Sequence, residues 1–288
     1  MIKNYFQISD LSKKDYLNIF KIKDDINFLK NKKIGLLFEK NSTRTRLSFS
    51  VGILSLSGNC IDLKFEDLNI ARDESFQDTF KALNCYLDGL VYRTTQHQKL
   101  IEASKFFHKP IINALSEISH PCQTLSDLYT LKNRFGNLSL NILWMGDMNN
   151  VCYSLVEASN LFEELKLFIC TPEIISRNND WHKNSNIQIF KNLSDIKLET
   201  IDCVMTDVFI SMNDQNSSEK VELLKSFSVD SELMNKTSPS SVFMHCLPAK
   251  IGHEVSEDVI NGHKSIVWEQ ARNRMIAQNK LLQFLKWN

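Results

Sequence analysis

Short apolar runs and longer amphipathic stretches alternate along the first half of the chain. An unbroken apolar run suits a strand buried on both faces, whereas apolar residues at helical spacing suit a helix with one buried side. The pattern predicts strands at 34–38, 60–64, 90–92 and 110–113, with helices from Ser42 and near 75–86. Because strands that alternate with helices form parallel sheets covered by helices, we predict a parallel α/β domain.

A second series of buried strands follows, at 140–146, 165–170, 201–207 and 241–247. Between the two series, the helical pattern from His120 gives way to Gly136, which indicates a domain boundary near 134–137. Residues 268–287 carry apolar side chains near helical spacing and are typical of a terminal helix. We therefore expect two doubly wound parallel-sheet domains, at 1–134 and 135–266, and a C-terminal helix over 267–288.

The composition narrows the function classes. The 34 Lys and Arg residues balance 34 Asp and Glu, so the chain lacks the basic field that holds nucleic acid or an anionic membrane. Seven cysteines without CxxC or CxxxH spacing are typical of reduced thiols rather than a disulfide framework or a zinc site. Neither a targeting signal nor an apolar run of membrane-spanning length is visible. We expect a cytoplasmic protein without nucleic-acid or membrane partners.

The first candidate site is the segment from Glu39 to Arg46, which follows a strand and opens a helix. Free N–H groups at a helix N-terminus, three hydroxyls and the guanidinium groups of Arg44 and Arg46 favour a phosphate or carboxylate receptor. The alternative is a Ser42 N-cap followed by solvated arginines. The strand-to-helix context favours the anion site.

A second helix start carries His120, Cys122 and Gln123. His120 could donate to a carbonyl or an oxyanion, and the amide of Gln123 could pair in two directions. Cys122 is a weaker candidate nucleophile, since no orienting base lies nearby in the sequence. Arg93 ends a strand, where open α/β sheets place ligand-binding residues, although a surface cation is equally consistent with its position.

Candidate site residues of the second domain lie at the ends of three predicted strands. The segment 146–150 occupies the position of a dinucleotide fingerprint but lacks its glycines, and Met148 would obstruct a pyrophosphate. Its two asparagines could instead hold a carboxylate. Asp207 is a candidate for binding a ligand amine, with a turn cap as the alternative. His245 and Cys246 are neighbours at a strand, where adjacent side chains face opposite sides, so we expect no metal site there.

Taken in order, these motifs resemble the aspartate/ornithine carbamoyltransferase family, and within it the branch that acts on ornithine. The matching stretches span nearly the whole chain: FEKNSTRTRLSF at 38–49, DESFQDT at 73–79, NALSEISHPCQTLSDLYTL at 113–131, WMGDMNNVCYSL at 144–155, TDVFISM at 206–212, FMHCLPAKIGHEV at 243–255 and NRMIAQ at 273–278. The STRTR and HPxQ motifs are common to both branches and imply carbamoyl phosphate. The ornithine branch is indicated by Asp207 with Ser211 and Met212, and by the HCLP sequence that starts at His245.

The resemblance implies that the first domain binds carbamoyl phosphate, that the second binds ornithine, and that the active site lies in the cleft between them. It implies transfer of the carbamoyl group to the δ-amine of L-ornithine, giving L-citrulline and phosphate without metal or organic cofactor. This is a step of arginine biosynthesis. It also implies a homotrimer with active sites between subunits, and a C-terminal helix that returns to the first domain with Arg274.

The resemblance also assigns roles to individual residues. The phosphate would be bound by Ser42, Thr43, Arg44, Thr45 and Arg93. The carbonyl oxygen would be contacted by Thr45, Arg93 and His120, and the carbamoyl nitrogen would be oriented by Gln123, the Leu247 carbonyl and Arg274. Ornithine would be bound by Asn150, Asp207, Ser211, Met212 and Cys246, with Cys246 beside the reacting amine.

Three positions depart from the family pattern. Asn213 and Met148 stand where glycine is usual, and Asn69 stands where the family sends a Gln or His into the neighbouring subunit's site. Two alternatives also remain at this stage: a carbamoyltransferase with another acceptor, such as putrescine or an acylated ornithine, and an inert paralogue that only binds carbamoyl phosphate. Asn150 and Asp207 favour an acceptor with both α-amino and α-carboxylate groups, whereas intact Arg44 and His120 speak against an inert protein.

Overall fold

The computed structural model of the protein describes residues 4–176, 185–210 and 217–287. It divides into two compact units: unit 1 comprises Met1–Tyr129 and Arg272–Asn288, and unit 2 comprises Thr130–Ala271. Across the described residues, no helix combines the length and the hydropathy that a membrane crossing requires.

Both units contain a parallel sheet, which confirms the predicted fold class. The strands are β1 (Lys33–Phe38), β2 (Asn59–Lys64), β3 (Gly89–Arg93), β4 (Ile111–Leu115), β5 (Asn141–Met145), β6 (Lys166–Cys170), β7 (Ile187–Phe190), β8 (Cys203–Thr206) and β9 (Val242–His245). The sheet of unit 1 has the order β2-β1-β3-β4, and that of unit 2 has the order β7-β6-β5-β8-β9. Every strand pairing in both sheets is parallel.

Helices connect the strands in both units. They are α1 (Lys13–Lys21), α2 (Thr43–Ser55), α3 (Phe76–Tyr86), α4 (His97–Phe106), α5 (Pro121–Phe135), α6 (Asn150–Leu161), α7 (Glu173–Ser176), α8 (Ser217–Leu224), α9 (Ser231–Lys236), α10 (Glu257–Ile260) and α11 (Val267–Phe284). Sequence patterning predicted the other strands but missed β7, whose four residues include only one that is buried.

In unit 1, the burial of each strand matches its place in the sheet. β3 is buried along its whole length and contributes Leu90 and Tyr92 to an apolar cluster with Leu37, Phe80 and Ile111. A strand covered by helices on both faces is apolar along most of its length, as β3 is up to Arg93 at its carboxyl end. β2 is an edge strand and correspondingly carries no fully buried residue.

The C-terminal helix packs on unit 1 through a close approach. A side chain at Gly52 of α2 would collide with Asn279 of α11, so the absence of a Cβ lets the two helices meet. The amide nitrogen of Asn279 also donates to the Ser55 hydroxyl at 2.9 Å. These contacts fix α11, which carries Arg274, against α2.

Unit 2 has its own core between the sheet and the helices that follow it. Leu143, Val204 and Phe243 lie on three neighbouring strands and contact Val259 and Val267. Because these strands are parallel, their carboxyl ends reach the same edge of the sheet. The site residues that the sequence predicts for this unit lie at that edge.

Candidate active site

Most candidate residues of unit 1 lie at or just after the carboxyl ends of neighbouring strands. Phe38, the end of β1, pairs with Arg93, the end of β3, and Arg93 pairs in turn with Leu115, the end of β4. The chain reverses its strand order between β1 and β3, and ligands of open α/β sheets bind outside the carboxyl ends at such a switch point. The structure thus brings together the start of α2, Arg93 and the start of α5.

The start of α2 has the features of an anion-binding helix N-terminus. Ser42 is its N-cap residue, yet its side chain makes no capping hydrogen bond, and the first turn contains no acidic residue. The positive end of the helix dipole therefore has no carboxylate of its own helix to neutralise it. Ser42 and Arg44 are half-buried, Thr43 is exposed and Thr45 is buried.

Arg46 does not belong to this receptor, and its inclusion in the predicted anion site was wrong. Its guanidinium forms an ion pair with Asp62 and lies over the Phe38 ring, 4.5 Å from the centroid. Asp62 belongs to β2, which pairs with β1. Arg46 therefore links α2 to the edge strand β2, a use that sequence spacing could not distinguish from anion binding.

Arg93, His120 and Arg274 are buried cationic or potentially cationic groups of unit 1. Burial lowers the pKa of His120 far below its ordinary value, and the charges of Arg274 and Arg93 lower it further. His120 is therefore a neutral imidazole near pH 7. Nη2 of Arg274 donates to Oγ1 of Thr45 at 2.9 Å, which joins α11 to the start of α2.

Gln123 is oriented by its own helix. Its Nε2 donates to Oδ1 of Asp127 at 2.9 Å, so the amide oxygen is the atom that points elsewhere. That oxygen is buried and has no hydrogen-bond partner within the described part of the chain. A buried acceptor without a partner suits a ligand N–H. Asp127 is a residue that the sequence reasoning did not assign.

Cys122 is not a nucleophile. Its side chain is fully buried and donates to the Asn113 carbonyl at 3.3 Å. Burial raises the pKa of this thiol to about 12, so it carries no thiolate at neutral pH. Cys122 is one of four cysteines that the structure buries.

Unit 2 repeats the arrangement of strand ends. Met145 of β5 pairs with Thr206 of β8, and Thr206 pairs with His245 of β9. The strand order reverses between β5 and β8, so this is again the switch point of the sheet. Asn150, Asp207 and Cys246 all lie just beyond these strand ends.

Asp207 is the centre of this second cluster. Its Oδ2 accepts from Nδ2 of Asn149 at 2.7 Å, and its Oδ1 accepts from the Val208 N–H at 2.8 Å and from the Cys246 thiol at 3.0 Å. Asn149 also caps α6, accepting from Val151 N–H at 3.0 Å. The sequence indicated both asparagines as possible carboxylate partners but assigned only Asn150, the half-buried first residue of α6, to ornithine.

His245 supports the turn that follows Cys246. The Leu247 N–H donates to Nδ1 of His245 at 2.8 Å, so the neutral ring carries its proton on Nε2, which lies 3.4 Å from Oε1 of Glu254. Both side chains are fully buried. Leu247 adopts a positive φ of 57°, which this network sustains. Glu254 gave no sequence signal, because its partner lies across a turn.

His245 and Cys246 lie close together, so the prediction that their side chains face opposite sides was wrong. β9 ends at His245, so strand alternation does not apply to Cys246. Ligand atoms of Asp207, His245 and Cys246 lie within 4.8 Å of one another and could hold a metal ion. The thiol and carboxylate already form a hydrogen bond, and our expectation that the reaction uses no metal stays a prediction.

Five further positions were singled out in the sequence. Ser211, Met212 and Asn213 lie outside the described residues. Met148 is buried. Asn69 is exposed at the start of a short 3₁₀ helix in unit 1, where its carbonyl accepts from Glu74 N–H at 3.1 Å.

The fold and these two clusters are typical of a two-domain parallel α/β enzyme, with a candidate anion receptor in one unit and a fixed carboxylate in the other. Two family models match the chain. Residues 3–133 match the carbamoyl-P binding domain of aspartate/ornithine carbamoyltransferase, and residues 139–285 match its Asp/Orn binding domain. The chain belongs to the aspartate/ornithine carbamoyltransferase family, which confirms the resemblance inferred from its motifs.

Individual relatives agree along nearly the whole chain. The chain is 37% identical to an ornithine carbamoyltransferase of Methanoculleus marisnigri, over 88% of this chain and 84% of the relative. It is 36% identical to one of Ruthia magnifica, over 99% of both chains. It is also similar to the crystal structure of ornithine carbamoyltransferase from Thermus thermophilus, with a TM-score of 0.90, 30% identity and coverage of 99% of this chain and 100% of the other.

Proposed function

We propose that this protein transfers the carbamoyl group of carbamoyl phosphate to the δ-amine of L-ornithine, giving L-citrulline and phosphate. The observation that carries the proposal is the cluster of unit 2, where Asn149 and Cys246 fix the Asp207 carboxylate at the switch point of the sheet. A fixed, buried carboxylate is suited to a ligand ammonium group. The names of the relatives supply the acceptor, ornithine.

Unit 1 would bind carbamoyl phosphate. The N–H groups of the α2 start, with Ser42, Thr43, Arg44 and Thr45, would hold the phosphate, because its charge suits both the helix dipole and the guanidinium. Arg93 would contact the phosphate and the carbonyl oxygen together. The position of Arg93 supports this role, because Arg93 ends β3 beside the end of β1 that leads into α2, at the switch point of the sheet.

The carbonyl oxygen becomes an oxyanion when the amine attacks. Thr45, Arg93 and the neutral imidazole of His120 would stabilise that charge by hydrogen bonding. The amide oxygen of Gln123, the Leu247 carbonyl and Arg274 would orient the carbamoyl nitrogen. The acceptor oxygen that Asp127 leaves available on Gln123 supports this orientation.

In unit 2, Asn150, Asp207, Ser211 and Met212 would bind the amino-acid end of ornithine. Cys246 would lie beside the side chain and its reacting amine. An alkylammonium group has a reference pKa of about 10.4, so the amine must lose its proton before it attacks. Burial of the amine away from water lowers that pKa and supplies the neutral nucleophile.

The reaction needs no covalent intermediate. Carbamoyl phosphate already carries a good leaving group, so alignment of the two substrates and charge stabilisation supply the rate enhancement. The high pKa of Cys122 agrees with this mechanism, because that thiol is not ionised.

We further propose a homotrimer in the cytoplasm that serves arginine biosynthesis. Leu47, Val51 and Leu54 form an exposed apolar stripe on α2, with exposed fractions of 57%, 48% and 61%. Such a stripe at helical spacing suits a contact with another subunit. Exposed Asn69 would reach the neighbouring site, and the seven free cysteines agree with a reducing compartment. Analytical ultracentrifugation tests the trimer, and Leu54→Glu should shift it towards monomer.

The decisive experiment is citrulline formation by the purified protein with carbamoyl phosphate and L-ornithine. Putrescine, N-acetylornithine and aspartate serve as competing acceptors. Arg44→Ala removes a guanidinium from the anion receptor and should abolish activity, whereas Arg134→Ala changes an exposed arginine of α5 and should not. Product from ornithine alone supports the proposal. Product from another acceptor, or from none, contradicts it.

A further inference from the structure

Glu39 lies between β1 and α2 and has no role in the reaction described above. Its side chain is only 6% exposed, although it carries a charge. A buried carboxylate is costly unless donors surround it. The contacts of Glu39 therefore show what the residue does.

Four donors saturate the two carboxylate oxygens. Oε1 accepts from the Tyr92 hydroxyl at 2.7 Å and from Nζ of Lys99 at 3.0 Å. Oε2 accepts from the N–H and the hydroxyl of Thr95, each at 2.9 Å. Burial raises the pKa of Glu39, but the bonds from Tyr92 and Thr95 and the Lys99 charge outweigh it, so the pKa is lowered from its ordinary value.

These donors flank Arg93. Tyr92 precedes it and Thr95 follows it by two residues, while the main-chain N–H of Glu39 donates to the Arg93 carbonyl at 3.0 Å. The register between β3 and β4 shifts between Tyr92 and Arg93, so the regular ladder is interrupted at this point. Glu39 holds the Arg93 main chain where the strand pairing is irregular.

The same residue also leads into the anion receptor. Ser42, the N-cap of α2, lies three positions after Glu39, so movement of Glu39 relative to β3 would displace the receptor relative to Arg93. We propose that Glu39 is a positioning residue, which sets the distance between the start of α2 and the Arg93 guanidinium. This inference rests on the proposed function, in which both groups contact the phosphate of carbamoyl phosphate.

Glu39→Gln tests the proposal, because the amide keeps the shape but presents N–H groups to donors. The control is Asp88→Asn. Asp88 accepts from Lys33 N–H at 2.8 Å and joins β1 to β3 at the opposite end of the same strands. Binding of inorganic phosphate, measured by calorimetry, and KM and kcat for each substrate are compared in both variants.

We expect Glu39→Gln to weaken phosphate binding and to raise the KM for carbamoyl phosphate by about 10-fold or more, with the KM for ornithine unchanged. Asp88→Asn should leave both values unchanged even where it lowers the melting temperature. Equal effects in the two variants, or wild-type phosphate affinity in Glu39→Gln, would overturn the proposal.

The role of Glu39 can still be tested if the Glu39→Gln variant does not fold or if the wild-type protein forms no citrulline. If Glu39→Gln does not fold, Tyr92→Phe removes a single donor and should weaken phosphate binding in the same direction, and wild-type affinity there overturns the proposal. If the wild-type protein binds phosphate but forms no citrulline, the proposed function fails, and the phosphate affinities still decide the role of Glu39.

Discussion

Arg274 donates from Nη2 to Oγ1 of Thr45 across 2.9 Å, although 229 positions separate the two residues in the chain. Both side chains are buried. The bond connects the C-terminal helix to the first turn of the helix that would hold phosphate. It is thus a direct link between two motifs that the sequence presents at opposite ends.

Thr45→Val removes this acceptor while it preserves shape. A hydrogen bond to a charged group contributes about 1.5–3 kcal/mol, so we expect kcat/KM for carbamoyl phosphate to fall by about 10-fold or more. The matched control is Thr124→Val, because the buried Thr124 hydroxyl has no hydrogen-bond partner among the described residues. Steady-state kinetics and thermal unfolding distinguish them: Thr124→Val should keep full activity and gain stability, and equal losses of activity would contradict the role of Thr45.

His120 predicts a pH dependence of stability. Its pKa is lowered in the folded protein, whereas the unfolded chain takes up a proton near pH 6.5. Below that pH the unfolded state binds more protons, so the free energy of unfolding should fall by up to about 1.4 kcal/mol per pH unit. Urea unfolding at several pH values measures the slope. His120→Asn should reduce it and Thr124→Val should not, and an unchanged slope in His120→Asn would show that other groups produce it.

Asp207→Asn tests the acceptor site. The amide places N–H groups against Asn149, Val208 and Cys246, all of which donate to the carboxylate. We expect kcat/KM for ornithine to fall by about 100-fold or more, while phosphate binding to unit 1 stays unchanged. Asp202→Asn is the control, since Asp202 accepts from Asn141 N–H at 2.9 Å at the other end of the same sheet. Loss of phosphate binding in Asp207→Asn would point to misfolding instead.

Glu254 should contribute to stability through His245. Removing Glu254 leaves the buried N–H of the neutral His245 ring and the Lys250 N–H without this acceptor, so Glu254→Ala should lower the free energy of unfolding by about 1–3 kcal/mol per donor. Glu254→Gln keeps an acceptor for the Lys250 N–H and should cost less. Chemical denaturation measures both, with the exposed Glu257→Gln as the control. An unaffected Glu254→Ala would exclude a supporting role for this pair.

The sequence by itself determined the alternation of strands and helices, the parallel α/β fold of both units and the family. Those features follow from local periodicity and from motifs contiguous in the chain. Fully buried strands such as β3 are evident from their apolar runs, whereas β7 has only four residues, one of them a polar Gln188, and gives no such run. The motifs also identified the strand ends that carry the chemistry.

The tertiary structure decided which side chains face those ends. Arg44 and Arg46 have the same chemistry and differ by two positions, but only the tertiary contacts show that Arg46 pairs with Asp62 on a neighbouring strand. Likewise Glu39, Asn149 and Glu254 acquire their partners through strand register and turns that bring distant residues together. Such contacts depend on geometry between elements, which periodicity along the chain does not encode.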